Sequence, residues 1–129
     1  MKTDDGLLDA AQCLRLMAGT AVGRVVYTRD ALPAVLPVRF RLLDGCVLVD
    51  AGDAHQDLLR AVDGAVVAFE TGELNVLDGS GWSVTVLGLA RAARRPRTMP
   101  GPDREFIRIR SQVITGRRLD AGLPVRPGE

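Results

Sequence analysis

Apolar positions change period along this 129-residue chain, and the changes divide it into elements. Leu7, Leu8, Ala11, Leu14 and Met17 recur at intervals of three and four, the spacing of one helical face. They predict a short helix over 7–17, with Asp9 in its first turns and Gly19 as its stop. Residues 22–28 are rich in β-branched and aromatic side chains and read as a strand. A second strand follows over 34–43, where Pro33 and Pro37 call for an edge, a bulge or a strand start. Asp44-Gly45 is a hairpin signal into 46–50. Residues 54–62 carry Leu58, Leu59 and Val62 at helical spacing, with Asp53 as candidate N-cap. Gly64 then hands over to an apolar strand at 65–71, followed by a Gly- and Asp-containing loop over 72–80. The longest strand candidate is 82–93, with Trp82, Val84 and Val86 on one face and Ser83 and Thr85 on the other. Pro96, Pro100 and Pro102 mark an irregular link. Over 106–114 the pattern alternates again, Ile107 and Ile109 opposing Arg108 and Arg110.

The sum is about six strands and two short helices, a mainly β (α+β) chain. Short strands joined by hairpin turns, with one helix inserted, predict a closed or partly closed antiparallel barrel. The length suits one domain, placed at 7–119, with flexible tails at 1–6 and 120–129.

Composition narrows the function classes. A net charge of +1 gives no broad electrostatic argument for nucleic acid or membrane. No apolar run approaches the roughly 20 residues of a membrane span. Lys2 is the one lysine among seventeen basic residues, and the arginines cluster at Arg91, Arg94, Arg95 and Arg97 and again at Arg104, Arg108, Arg110, Arg117 and Arg118. Cys13 and Cys46 lack CxxC spacing, which argues for buried free thiols over a metal or redox site. A cytoplasmic protein with reduced thiols is the expectation.

Candidate chemistry is sparse. The one histidine, His55, lies in Asp53-Ala54-His55-Gln56-Asp57. A His–carboxylate base is one reading of that segment, and a polar first helical turn is the other. No serine has a nucleophile-elbow context. Residues 52–57 join a strand end to a helix start, where unpaired N–H groups favour an anion. Asp53 and Asp57 oppose that use, and Asp53 can instead cap the helix. Arg117 and Arg118 follow Gly116 at a strand end, a guanidinium fork suited to phosphate, carboxylate or a salt bridge between subunits. Trp82 can stack on a planar ring or serve as core.

Several short motifs occur in a recognisable order: Val22-Gly23-Arg24, Leu36-Pro37-Val38-Arg39-Phe40, Val66-Val67-Ala68-Phe69-Glu70, Gly81-Trp82-Ser83-Val84 and Ile114-Thr115-Gly116-Arg117-Arg118. Over about 7–119 the chain resembles the pyridoxamine 5'-phosphate oxidase-like flavin-binding split barrels, especially their small actinobacterial-type members. The resemblance implies a six-stranded antiparallel split β-barrel with flanking short helices. It also implies a homodimer whose interface groove holds FMN, or in some relatives F420, contacted by both subunits. Carried over by motif, Pro37, Val38 and Arg39 would lie beside the flavin ring. Asp50 and Ala51 would lead into a phosphate loop aligned with His55, Gln56 and Asp57. Trp82 and Ser83 would border the groove, and Arg117 would contact cofactor or interface.

Two departures stand out. The family's phosphate loop reads Gly-Thr/Ser-Lys-Leu, whereas His55-Gln56-Asp57-Leu58 stands here, so Asp57 replaces a lysine and reverses the charge met by a phosphate. Asp50-Ala51 also stands where an Arg or Thr often precedes the loop. In the link after Arg91, Met99-Pro100-Gly101 follows directly, without the helix and Trp that relatives carry. The expected function is therefore a flavin oxidoreductase acting on a small molecule. The alternative is a non-enzymatic split-barrel dimer with a degenerate phosphate site that binds another ligand or a protein. Nucleic-acid binding through the arginines is disfavoured by near-neutral charge and few stacking aromatics.

Overall fold

The computed structural model describes residues 6–52, 56–102 and 104–121. The Asp53 cap, His55 and nearly all of both expected tails lie outside the described residues. In chain order the elements are β1 (Leu7–Leu8), α1 (Ala10–Ala18), β2 (Val22–Arg29), β3 (Leu32–Leu43), β4 (Cys46–Asp50), α2 (Gln56–Val62), β5 (Val66–Leu74), β6 (Gly81–Arg94) and β7 (Glu105–Leu119). The strands follow the order β1-β7-β4-β3-β2-β5-β6, and β6 pairs back onto β7. Strands β2 to β7 thus form a closed six-stranded antiparallel barrel, with two short helices beside it.

The period-2 signals locate the interior. Trp82, Val84 and Val86 on β6 and Ile107 and Ile109 on β7 point inward and are buried. Phe40 from β3 and Phe69 from β5 meet edge to face, with ring centroids 4.7 Å apart. Phe69, whose register partner is Val25, reaches that position because Gly23 two residues along β2 has no side chain: a Cβ there would collide with the ring. Met17 and Cys13 of α1, with Leu58 and Val62 of α2, complete the core. The one buried polar side chain among the described residues is Thr71. Its hydroxyl donates to the Val22 carbonyl at 2.8 Å and lies 3.2 Å from the Thr20 hydroxyl, which caps the Met17 carbonyl.

Two turns connect the first hairpins. Asp44 and Gly45 both take left-handed φ, +50° and +76°, as a two-residue turn matched to strand twist requires. Asp30 and Ala31 do the same between β2 and β3, at +50° and +64°. Nothing in the sequence pattern marked that second turn, because alanine is a poor occupant of this region. Pro33 and Pro37 lie where β3 has β2 but not β4 as a neighbour, which is the expected edge.

The N-terminal element differs from the expected helix. Leu7 and Leu8 pair with Arg117 and Gly116 of β7, and the Arg118 amide donates to the Gly6 carbonyl. The helix starts after Asp9, whose carboxylate accepts from the Gln12 amide at 2.8 Å while the Gln12 side chain accepts from the Asp9 amide. This reciprocal cap fixes the boundary more firmly than periodicity does. No helix among the described residues is long and apolar enough to cross a membrane.

Helix α1 docks on β7 where Gly116 leaves room for the Cys13 sulfur, and a Cβ at Gly116 would collide with it. Gly116→Ala should therefore cost about 1–3 kcal/mol in urea unfolding. Adding Cys13→Ala should recover much of that cost, and simple additivity of the two changes would contradict the contact. Burial, with the Asp9 charge second, raises the Cys13 thiol above its ordinary 9.0. The folded chain then keeps a proton that the unfolded chain loses. That contribution to stability is complete below pH 9 and declines as pH rises further. Fully buried Cys13 should not react with a thiol reagent at pH 8 until denaturant is added.

Candidate functional site

Strand alternation sorts the candidate residues before any chemistry is considered. On β3, Val38 and Phe40 face the core while Pro37, Arg39 and Arg41 face outward. Val38 is 4% exposed, Ala51 is fully buried and Trp82 is 7% exposed, so these three pack in the barrel core. Ser83, next to Trp82, faces outward, and so does Arg117.

Arg39 and Asp50 are direct partners across β3 and β4. They border a cavity of about 400 Å³ on the outer face of these strands. The link after β6 forms its far wall through Arg95, Met99, Pro100, Gly101, Pro102 and Arg104. Arg104 bridges this wall to the barrel, with Nη1 2.8 Å from Asp50 Oδ2. Asp50 Oδ1 also accepts from the Gly52 amide at 3.0 Å, which turns the chain at the end of β4. The link holds its own shape through the Arg95 guanidinium donating to the Met99 carbonyl and the Met99 amide donating to that of Pro96. The short link thus supplies a wall without the extra helix. Among the described residues no carboxylate pairs with Arg39, which leaves a guanidinium at the mouth of a partly apolar pocket.

Ser83 and Arg117 lie elsewhere. They are direct partners across β6 and β7 and line a separate groove with Leu7, Thr85, Thr115 and Leu119. The Ser83 hydroxyl donates to Glu70 Oε2 at 3.1 Å, while Arg24 grips Glu70 Oε1 through Nη2 at 2.6 Å and Nε at 2.8 Å. Arg24 and Glu70 form a polar band on this face that the sequence reading did not single out. Both sit in quoted motifs, and their opposite charges fall at directly opposed register positions. Along the sheet, Arg39 and Ser83 are three strands apart, roughly 14 Å at the usual strand spacing. Arg39 and Ser83 therefore border two separate recesses of one chain.

Of the expected phosphate loop, His55 lies outside the described residues. Gln56 opens α2, and Asp57 follows in the first turn. The Asp57 side chain is 70% exposed and lies 3.5 Å from Arg29 at the end of β2, a weak surface pair. In the loop before β6, Asp78 is held below the usual carboxylate range by hydrogen bonds from the Ser80 hydroxyl and amide, which fixes the approach to Gly81.

Known proteins give this arrangement a context. The family model for pyridoxamine 5'-phosphate oxidase matches residues 9–109. An uncharacterised Mycobacterium tuberculosis protein, Rv0080, is 33% identical over 88% of this chain and 85% of its own. An FAD-binding protein from Mycobacterium smegmatis superposes with a TM-score of 0.74 at 32% identity, covering 88% of this chain and 97% of that one. An FAD-binding protein from Mesorhizobium loti has the same fold, with a TM-score of 0.67 at 20% identity over 88% of this chain and 97% of its own. With its closed barrel, its match over most of the sequence and a relative of similar length, this chain belongs to the pyridoxamine 5'-phosphate oxidase family.

Proposed function

We propose that the chain is a flavin-dependent oxidoreductase that works as a homodimer, holding FMN between the half-site of one subunit and that of its partner. The observation that carries this reading is the separation of Arg39 from Ser83 and Arg117: β3 and β6 lie three strands apart in either direction around the closed barrel, so a second copy is needed to bring both to one flavin. Each half-site has the chemistry to hold one part of a flavin, and a second copy can bring the complementary half. An exposed apolar row supports the dimer: Val35, Val26, Ala68, Leu87 and Val113 are successive register partners across five strands. Val35 is 59% exposed, Leu87 42% and Val113 48%, so this row leaves exposed apolar side chains around the barrel, part of which a subunit interface would cover.

The residues present suit a flavin. The cavity beside Arg39 combines apolar walls from Leu48, Met99 and Phe106 with guanidinium groups that can neutralise a phosphate. A bound flavin supplies the hydride and electron transfer, and the chain's part is to orient it and set its electrostatics. The structural relatives named above are described as FAD-binding, which supports a flavin while leaving FMN, FAD and F420 to be separated by titration. The substrate is a small molecule reaching the ring from the groove.

Asp57 favours the second reading, a dimer with a degenerate phosphate site. Its carboxylate stands in the first turn of α2, where a phosphate would be repelled. Visible spectra and titrations with FMN, FAD and F420 discriminate between the two. Micromolar flavin binding by the wild type supports the first reading. No binding by the wild type, with a gain in Asp57→Lys, supports the second.

If the first holds, Arg39→Gln should weaken flavin binding about 10- to 100-fold, the usual cost of one charge-assisted hydrogen bond. Arg117→Gln should weaken it by a comparable factor. Mixing and reassociating the two variant proteins should restore about a quarter of the sites, because random pairing gives half heterodimers with one intact groove each. No restoration would place both arginines in the same subunit's site.

A further inference from the structure

A second cavity lies on the outer face of β4, β6 and β7. It measures about 680 Å³, and its polar lining includes Cys46, Arg91, Arg108, Arg110 and Asp44. Arg91 and Arg108 stand directly opposite each other across β6 and β7. Arg110 is on the same face two residues on, opposite Leu89 on one side and Cys46 on the other. Like charges directly opposed in a sheet are destabilising. Among the described residues, none of these three arginines makes a salt bridge with a carboxylate. Among the described residues of the cavity wall Asp44 is the one acidic side chain, so three positive charges meet one negative charge there.

The cluster is also anchored. Arg108 Nε donates to Cys46 Sγ at 3.3 Å, and Cys46 is 5% exposed. That bond uses the inner edge of the guanidinium and leaves its terminal nitrogens as donors. Leu89, Ala92 and Ala93 add apolar surface beside the charged groups. Flavin binding as proposed above uses none of these residues.

We propose that this cavity binds a phosphate monoester whose organic part rests on Leu89, Ala92 and Ala93. Charge fixes the class: a monoester at neutral pH carries close to two negative charges and offers three acceptor oxygens. Arg108 and Arg110 on β7 and Arg91, whose Nη1 lies beside Gly64, border the cavity, and each can turn its guanidinium to donate to one of those oxygens. The unfavourable Arg91–Arg108 opposition becomes favourable once a dianion lies between them.

The test uses the full-length protein at low ionic strength with phenyl phosphate as probe and phenyl sulfate, a monoanion of similar shape, as control. Titration calorimetry should show saturable binding of phenyl phosphate at pH 7.5 and weaker binding at pH 5, where the second phosphate proton returns. Phenyl sulfate should bind at least about tenfold more weakly. Arg91→Gln and Arg110→Gln should each reduce phenyl phosphate affinity about tenfold or more, whereas Arg39→Gln should leave it unchanged. Without ligand, Arg91→Gln should melt no lower than the wild type, because it removes a like-charge opposition. Equal binding of the sulfate, or unchanged phosphate binding in Arg91→Gln and Arg110→Gln, would overturn the proposal. Loss of binding in Arg39→Gln alone would overturn it too, by placing the phosphate in the other cavity.

Discussion

Closure of β6 onto β7 is the constraint on which the rest of this molecule depends. The two strands pair along nearly their whole length, from Gly81 opposite Leu119 to Arg94 opposite Glu105. Such long partners must bend to complete a six-stranded barrel, and the bend is a register shift at Leu87 and Gly88 that leaves Gln112 without a partner residue. Gly88 permits the approach, since a Cβ there would collide with the Arg110 carbonyl. Because the sheet closes on itself, β6 and β7 cover one edge of each other along their length. On its second edge β7 pairs with β4 over Phe106–Arg110 and with the two-residue β1 at Gly116 and Arg117.

That closure also determines where chemistry can sit. The core that the six strands and two helices enclose is filled by Phe69, Met17, Leu58 and the branched side chains of β4, β6 and β7. Recognition is therefore left to outward-facing positions, to the helix ends and to the link after β6. Trp82 illustrates the consequence: its neighbour Ser83 is available on the surface, while the indole is part of the core. A ligand lying on a convex barrel exterior needs walls from elsewhere, from the link or from another subunit.

Much of this was legible in the sequence because alternation reports directly on sheet faces. The inward set on β6 and the Ile107–Arg108–Ile109–Arg110 alternation on β7 gave the core side correctly, and Asp44-Gly45 announced its turn. What escaped notice depended on partners distant in sequence. Leu7 and Leu8 fit a helical period, yet pairing with Arg117 and Gly116 draws them into the sheet. Residues 115–119 looked like a strand end, but β6 carries the pairing on to Leu119. The Arg24–Glu70 pair joins positions 46 residues apart and depends on strand register that local pattern does not encode. The departure at Asp57 was visible at once, whereas its proximity to Arg29 required the packing of α2 near β2.

The link from Arg95 to Arg104 stands apart from every barrel ladder. It shapes the cavity beside Arg39 while the barrel closes without it. Fold and pocket are thus encoded by separable stretches of chain. Lengthening or shortening this connector would redraw the volume and polarity offered to a ligand while leaving the scaffold's folding intact. A single barrel can in this way serve as chassis for many ligand preferences, with one loop as the part exchanged.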